Sequence, residues 1–310
     1  MGQKLHSLPI LLVALVGQIF CSFLPLPTIA AMSSTSYEIK WDTISNGGCD
    51  AGSSASYRLH DTVGNPAIGR SDSASYGLLA GYRQGETTEV LSFDVRPQFM
   101  GFNVIATAKV GNTITVGSAS AFSVGGYVLI VQDQGASQVS GFGVVTATTA
   151  TTVTFDSIAD NGTAPVIDGT NDYLYALAGA ITTFGAVESG AVYTTVIAWE
   201  TTADFDGGYT VQVYEDGDLR DGAETISDVA DGTVTASSEE YGARASDLTL
   251  ATSTFDTQDT AITGTPQAIS TIADRVYDDR YFMTLKLSTS TATEDGNYQH
   301  ELIYIVTGNY

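Results

Sequence analysis

From about residue 33 onward, apolar and polar positions alternate in short runs rich in Thr, Val, Tyr and Ile, separated by Gly, Asn, Asp and Ser. Period-two alternation of β-branched and aromatic residues marks half-buried strands, and almost no segment carries the 3.6-residue period of a helix. The pattern predicts strands at 37–43, 113–117, 127–132, 144–148, 152–156, 193–200, 209–215, 281–288 and 298–306. The expected fold class is all-β.

Three stretches differ in texture. Between residues 33 and 85, STSYEI, SASYRL and SASYGL place Tyr37, Tyr57 and Tyr76 at intervals of about twenty residues, with Gly-rich turns between them. One strand per repeat predicts a small β-meander that needs a neighbour to cover its apolar face. From 103 to 178 the chain turns to Gly, Val, Ala and Thr with few charges; NTITVGSASAFSVGGYVLIVQD reads as strand, turn and strand, and GVVTATTATTVTFDSI as a hairpin. That length and spacing fit a small SH3-like β-barrel. Residues 181–310 carry the longer strands and turns of a β-sandwich.

The stretch FGAVESGAVYTTVIAWETTADFDGGYTVQVYEDGDL resembles a pattern of secreted bacterial surface proteins: a strand, an FG-turn, a second strand, a TTA-like turn and GYTVxV. SASYRLHDTVGNPAIGRSDSASYGLLAGYRQ is similar to a region that precedes repeats in exported bacterial surface proteins. In uninterrupted versions of the first pattern an apolar strand directly precedes the FG-turn. The equivalent here, VLSFDV at 90–95, lies far upstream. The resemblance therefore implies that the barrel is inserted into the sandwich after its first strand, which exposed loops tolerate. The expected organisation is a leader at 1–31, a β-repeat segment at 32–87, a discontinuous sandwich of 88–102 plus 180–310, and an inserted barrel at 103–179.

Lys4, an apolar run over 8–26 and the small residues Thr28, Ala30 and Ala31 have the order of a secretory signal peptide. A retained anchor is the alternative, against which stand Pro9, Pro25, Pro27 and the lack of a basic cluster afterwards. Gln18, Ile19 and Phe20 before Cys21 are not the small residues of a lipid-attachment site. If Cys21 leaves with the leader, Cys49 has no partner in its own chain and is either a free thiol or a link between chains. The expected location is extracellular or at the cell surface, with no membrane span after leader removal.

Charge narrows the partners. With 35 acidic and 12 basic residues the formal net charge is −23. Nucleic acid and anionic membrane are poor partners for such a surface, whereas divalent cations or a basic partner suit it. Unneutralised, the charges repel across the surface, screened over about 8 Å at physiological salt.

Candidate chemistry is sparse. Beyond the leader only His60 and His300 remain, both expected at a surface or strand edge, and neither is accompanied by a GxSxG elbow, an SxxK sequence or a second metal-binding histidine. No Walker loop, dinucleotide fingerprint or CxxC pair occurs. Glu239 and Glu240, or Asp278 and Asp279, are adjacent and would point to opposite faces of a strand rather than into one cleft. The chain is expected not to be an enzyme.

Calcium is the better-supported ligand. YEDGDLRDGAE brings Glu215, Asp216, Asp218, Asp221 and Glu224 into one loop, with Gly217 and Gly222 allowing tight turns. Calcium takes six to eight oxygens, which carboxylates clustered at a strand end can supply. Glu215, Asp216, Asp218 and Asp221 are the candidate ligands; a solvated acidic turn is the alternative. Asp204 and Asp206 could fall at either end of the following strand.

Two further sets of residues are candidates for recognition. In SYEIKWDTI, Tyr37, Ile39 and Trp41 alternate with Glu38, Lys40 and Asp42, as in a terminal strand able to complete a neighbouring subunit's sheet. Such a strand can equally pair within its own chain. Tyr127, Tyr173 and Tyr175 are candidates for stacking on a glycan or anchoring a protein partner, unless they belong to the core. The functional expectation is an extracellular structural or adhesive surface protein, in one version a filament subunit assembling by strand addition. The alternative is a non-catalytic module that binds carbohydrate or another surface protein. An outer-membrane barrel fits less well: LIYIVTGNY alternates and ends in Tyr310, but no continuous lipid-facing band accompanies it.

Overall fold

The computed structural model describes residues 90–309 and, ahead of them, six short strands: β1 (Met32–Ser33), β2 (Glu38–Ile39), β3 (Gly47–Ser53), β4 (Arg58–Val63), β5 (Gly69–Asp72) and β6 (Gly77–Ala80). The predicted leader, Tyr37, Trp41, Tyr57 and Tyr76 lie outside the described residues. The chain divides into two units, Met1–Thr88 and Glu89–Tyr310.

In the first unit β1 pairs with β2, β3 with β4 and β5 with β6, each antiparallel. Among the described residues no ladder joins one pair to the next, so the predicted meander takes the form of separate two-stranded ladders.

The described residues of the second unit form no helix, and their strands are β7 (Leu91–Val110), β8 (Thr113–Val116), β9 (Tyr127–Gln132), β10 (Val139–Thr148), β11 (Thr152–Asp160), β12 (Tyr173–Leu177), β13 (Val192–Ala203), β14 (Tyr209–Glu215), β15 (Leu219–Asp221), β16 (Glu224–Ile226), β17 (Glu240–Ala245), β18 (Gln267–Ile272), β19 (Val276–Ser288) and β20 (Leu302–Gly308). The second half of β7 joins β8, β11, β10, β9 and β12 in a cycle that closes where Tyr173 of β12 pairs with Ile105 of β7. Every pairing in this six-stranded barrel is antiparallel, and closure leaves none of its strands as an open edge. Ile114, Val128, Ile130, Val145, Val153, Phe155 and Leu174 fill its interior.

The first half of β7 belongs elsewhere. Leu91 to Pro97 pair with β13, and β13, β19 and β17 continue a four-stranded sheet. The barrel strands β8 to β12 thus lie in sequence between two strands that pair with each other. A three-stranded sheet ordered β18-β14-β20 shares one core with this four-stranded sheet: Ile197 and Trp199 of β13, Val211 and Val213 of β14, Tyr241 of β17, Ile269 of β18 and Leu285 of β19 form a single cluster.

The other face of the four-stranded sheet carries the barrel. Val196 and Ala198 of β13 and Phe282 of β19 pack against Leu129, Val131, Phe142, Tyr175 and Leu177 on the barrel's outer wall. This explains why β9 reads YVLIV without a polar break: Val128 and Ile130 point into the barrel while Leu129 and Val131 point into the seam, and both faces are buried. Charged groups reinforce the seam. Arg280 of β19, with only 10% of its side chain exposed, contacts Glu200 of β13 at 2.7 Å and Asp156 of the barrel strand β11 at 2.8 Å.

Candidate functional site

Strand β14 alternates buried and half-exposed positions, with Tyr209, Val211 and Val213 turned into the core. Period two puts the next inward position at Glu215, so the strand delivers a carboxylate to the end of the core; Glu215 is only 4% exposed. Gly217, at φ +132, turns the chain out of the strand, a conformation that a Cβ would strain. The chain then makes the hairpin β15–β16 through a two-residue turn whose first residue, Gly222, has φ +64. After buried Ile226 it returns to the end of β14 with Asp228. One carboxylate oxygen from each of Glu215, Asp218 and Asp228 lies within 4.8 Å of the others.

His300 closes one side of this cluster. Its Nδ1 is 3.1 Å from Glu215 Oε2 and 3.3 Å from the Gly217 carbonyl, and its Nε2 is 3.1 Å from the Tyr241 hydroxyl. A carbonyl can only accept, so Nδ1 carries a proton; in the neutral imidazole Nε2 then accepts from the Tyr241 O–H, and in the imidazolium it donates to that oxygen. The imidazole also meets the Tyr241 ring edge to face, with centroids 5.0 Å apart. Burial first, then Tyr304, Glu215 and Asp228 nearby, hold the Tyr241 hydroxyl well above its ordinary pKa. Of the expectation of a surface or edge histidine, the surface part does not match this placement, since the His300 side chain is 8% exposed, whereas β20, which it precedes, is an outer strand of its sheet. It stands two residues before Leu302, on the same face as Leu302, Tyr304 and Val306, all packed on the core.

Crowding of like charge is the electrostatic signature here. Burial, then the Glu215 and Asp218 carboxylates, push the Asp228 carboxyl up to about 7, with His300 opposing. Its Oδ1 is buried with no hydrogen-bond partner among the described residues. A group of oxygens in this state can be relieved by a proton or by a hard divalent cation. Three carboxylates fit such an ion in donor type. They fall short of calcium's usual six to eight oxygens unless water completes the shell, because His300 already occupies one oxygen of Glu215.

Of the four predicted ligands, Glu215 and Asp218 come together, and Asp216 and Asp221 do not. Asp216 faces Arg220, with Oδ2 2.6 Å from Nη2, and accepts the Glu301 N–H at 2.9 Å. The Arg220 hydrogen bond and the backbone N–H of Glu301 hold the Asp216 carboxyl down to about 2. Asp221 accepts the Asn297 N–H at 2.8 Å. Asp204 and Asp206, which precede the other end of β14, meet Arg275 at 3.3 and 2.7 Å. Asp228 and His300 were missed in the sequence. Asp228 lies in irregular chain with no period to assign it a face, and the alternation ahead of Leu302 was the one available signal for His300.

The three tyrosines lie in the seam between barrel and sheet. Tyr175 is 1% exposed and its hydroxyl donates to Gln134 Oε1 at 2.8 Å. Tyr127 donates to Glu200 Oε1 at 2.8 Å; burial and then that carboxylate push its hydroxyl up to about 12. The Arg96 guanidinium stands 5.2 Å from the Tyr127 ring centre. Tyr173 is partly buried, its ring 6.0 Å from that of Tyr175. Of the strand-addition residues, only Ile39 falls within the described chain, in β2 opposite Met32.

Comparison with protein-family models, curated proteins and solved structures finds no match to this chain.

Proposed function

We propose that this chain is an exported, non-catalytic structural or adhesive protein of the cell exterior, in which a closed barrel is mounted on a two-sheet scaffold. The observation that carries this reading is Arg280: from the centre of the four-stranded sheet it grips Glu200 on a neighbouring strand and Asp156 on the barrel. Continuous strand β7 adds to it, since one extended segment cannot bend freely between barrel and sheet. A joint made of a shared strand, an apolar seam and a part-buried ion pair favours a rigid unit over two modules on a hinge. The four-stranded and three-stranded sheets sharing one core support reading residues 181–310, with the start of β7, as a β-sandwich. The barrel, though six-stranded, keeps the small closed form of the SH3-like reading.

In this proposal Glu215, Asp218 and Asp228 take a divalent cation such as calcium, which lowers the repulsion of a chain of net charge −23. Assembly is by self-association or with another surface protein, and residues 37–43 supply the strand in the filament version.

Negative-stain electron microscopy of the purified chain lacking residues 1–31, with and without calcium, tests the structural role. Regular filaments or sheets that vanish on deletion of 37–43 are the expected result. Dispersed particles in both conditions overturn assembly as the function.

A further inference from the structure

On β17 and β19, the residues turned away from the scaffold core form a second surface. Tyr241, Ala243 and Ala245 of β17 and Met283, Leu285 and Leu287 of β19 face inward, so Arg244, Thr284 and Lys286 face the barrel side. Arg244 and Thr284 are registered partners across the two strands. The barrel packs on Phe282, and a gap lined by these three residues remains beside that contact. The gap is a cleft of about 210 Å³, walled on the barrel side by Ser137, Gln138 and Asn161.

The hydrogen bonds divide its walls into occupied and open groups. Lys286 is spent on Asp259, 2.8 Å away. Gln138 is also spent, donating to Ser140 at 2.8 Å and accepting from Thr194 at 2.5 Å. Arg244 makes one hydrogen bond, 3.3 Å from Nη2 to the Asp256 carbonyl, and among the described residues it has no carboxylate within ion-pair distance. In a chain with 35 acidic and 12 basic residues, a half-buried arginine without an acidic partner among the described residues is unusual. Across the cleft the Asn161 carboxamide oxygen is buried and has no donor among the described residues. It lies in a turn held by the Gly162 N–H bond to Asp160 Oδ1 at 2.9 Å, with Gly162 at φ +86.

The Arg244 guanidinium on one wall and the Asn161 carboxamide on the other, its buried oxygen lacking a donor among the described residues, suit a ligand with an anion at one end and a hydroxyl at the other, reached as the Asn161 side chain turns into the cleft. Arginine's planar fork matches a carboxylate, and the orphaned Asn161 oxygen needs a donated O–H. The volume lies below the range of about 300–1,000 Å³ typical of drug-sized sites, so one small ring or a short acid fits and a longer chain does not. We propose that this cleft binds a hydroxylated carboxylate, and specifically a uronic acid unit. Arg244 takes the carboxylate and Asn161 a ring hydroxyl. The inference is independent of cation binding and of assembly.

Amide-resolved NMR titration of the purified chain tests it, with galacturonate, galactose, acetate and glycerate as probes. One charged contact and a few hydrogen bonds predict a Kd of about 1 mM for galacturonate. Resonances of Gln138, Asn161, Arg244 and Thr284 should move with galacturonate and stay fixed with galactose and acetate. Arg244→Gln should weaken binding about tenfold or more, and Asn161→Ala should weaken it with the fold intact, which covers the case of an Arg244 variant that fails to fold. Shifts with glycerate but not galacturonate would overturn the sugar ring as the source and leave a free hydroxy acid. Absence of shifts with every probe, equal binding of galactose, or galacturonate binding unchanged in both variants would overturn the site. Filament imaging reads none of these resonances, so failure here is distinguishable from failure of the structural role.

Discussion

The carboxamide of Gln98 accepts a hydrogen bond from the Val196 backbone N–H at 3.0 Å, one residue beyond the last ladder pair between β7 and β13, Pro97 with Ile197. It is there that β7 leaves the sheet for the barrel. The departing strand would strand a buried N–H on β13, and a side chain takes over the bond that the backbone gives up. Thr182 in turn donates to the Gln98 carbonyl at 3.0 Å. Gln98→Leu should therefore cost about 2 kcal/mol, the penalty for a buried donor left without a partner. Urea denaturation measures it, and a loss within the scatter of ordinary surface substitutions would count against this account.

Arg280 gives a second prediction, on the barrel joint. Its removal leaves Glu200 and Asp156 without their cation at partly exposed positions, so Arg280→Met should destabilise by about 2 kcal/mol, below the figure for a fully buried pair. A double-mutant cycle with Asp156→Asn isolates the term that crosses the seam. A coupling energy indistinguishable from zero would remove Arg280 as the joint.

Tyr304 presents the opposite case. Its hydroxyl is buried with no hydrogen-bond partner among the described residues, and burial raises its pKa far above the ordinary value. Tyr304→Phe should leave stability unchanged or raise it by about 1 kcal/mol. A substantial loss would reveal a partner for this oxygen.

The pH dependence has a definite sign at Asp279. Burial raises its pKa above the ordinary 3.8, against the opposing hydrogen bonds from the Tyr209 hydroxyl and the Arg280 N–H and with added repulsion from Asp247. Between the unfolded and the folded pKa the folded chain holds more proton than the unfolded one. This contribution is therefore complete below the ordinary carboxylate pKa and is lost as pH rises through the raised value. Asp279→Asn should flatten that decline, seen as a smaller fall in the urea midpoint from pH 4 upward than in the unsubstituted chain. Parallel pH profiles for the two would contradict it.

Cation binding at the end of β14 predicts a calcium-dependent rise in Tm of about 2 °C or more at saturating ion, lost on chelation. Asp228→Asn should abolish the rise, whereas Asp221→Asn should preserve it, because Asp221 lies outside the cluster. An equal calcium effect in both variants would move the ion elsewhere.

Strand positions within single segments were legible. The alternation of Tyr209, Val211, Val213 and Glu215 is written in consecutive residues, and β14 follows it. Other strands were found shortened: 144–148 is the end of Val139–Thr148, and 281–288 the end of Val276–Ser288. The start of β7 reads in the sequence as a separate strand at 90–95, with a change of composition from 103, whereas the strand runs unbroken from Leu91 to Val110 through Pro97 and Gly101. Pro97 is tolerated at the last pair with β13, where the ladder ends.

The sequence by itself determined the all-β class, most strand positions and an acidic loop after β14, because local alternation and turn residues carry that information over a few residues. Tertiary structure alone decided that β12 closes the barrel on β7, that Tyr127, Tyr173 and Tyr175 line a seam, and that Asp228 and His300 meet Glu215 while Asp216 turns away to Arg220. His300 and Glu215 are 85 residues apart and are brought together by the β14–β20 ladder. Such contacts depend on register between distant strands, and register is set by the packing of whole faces rather than by any one segment.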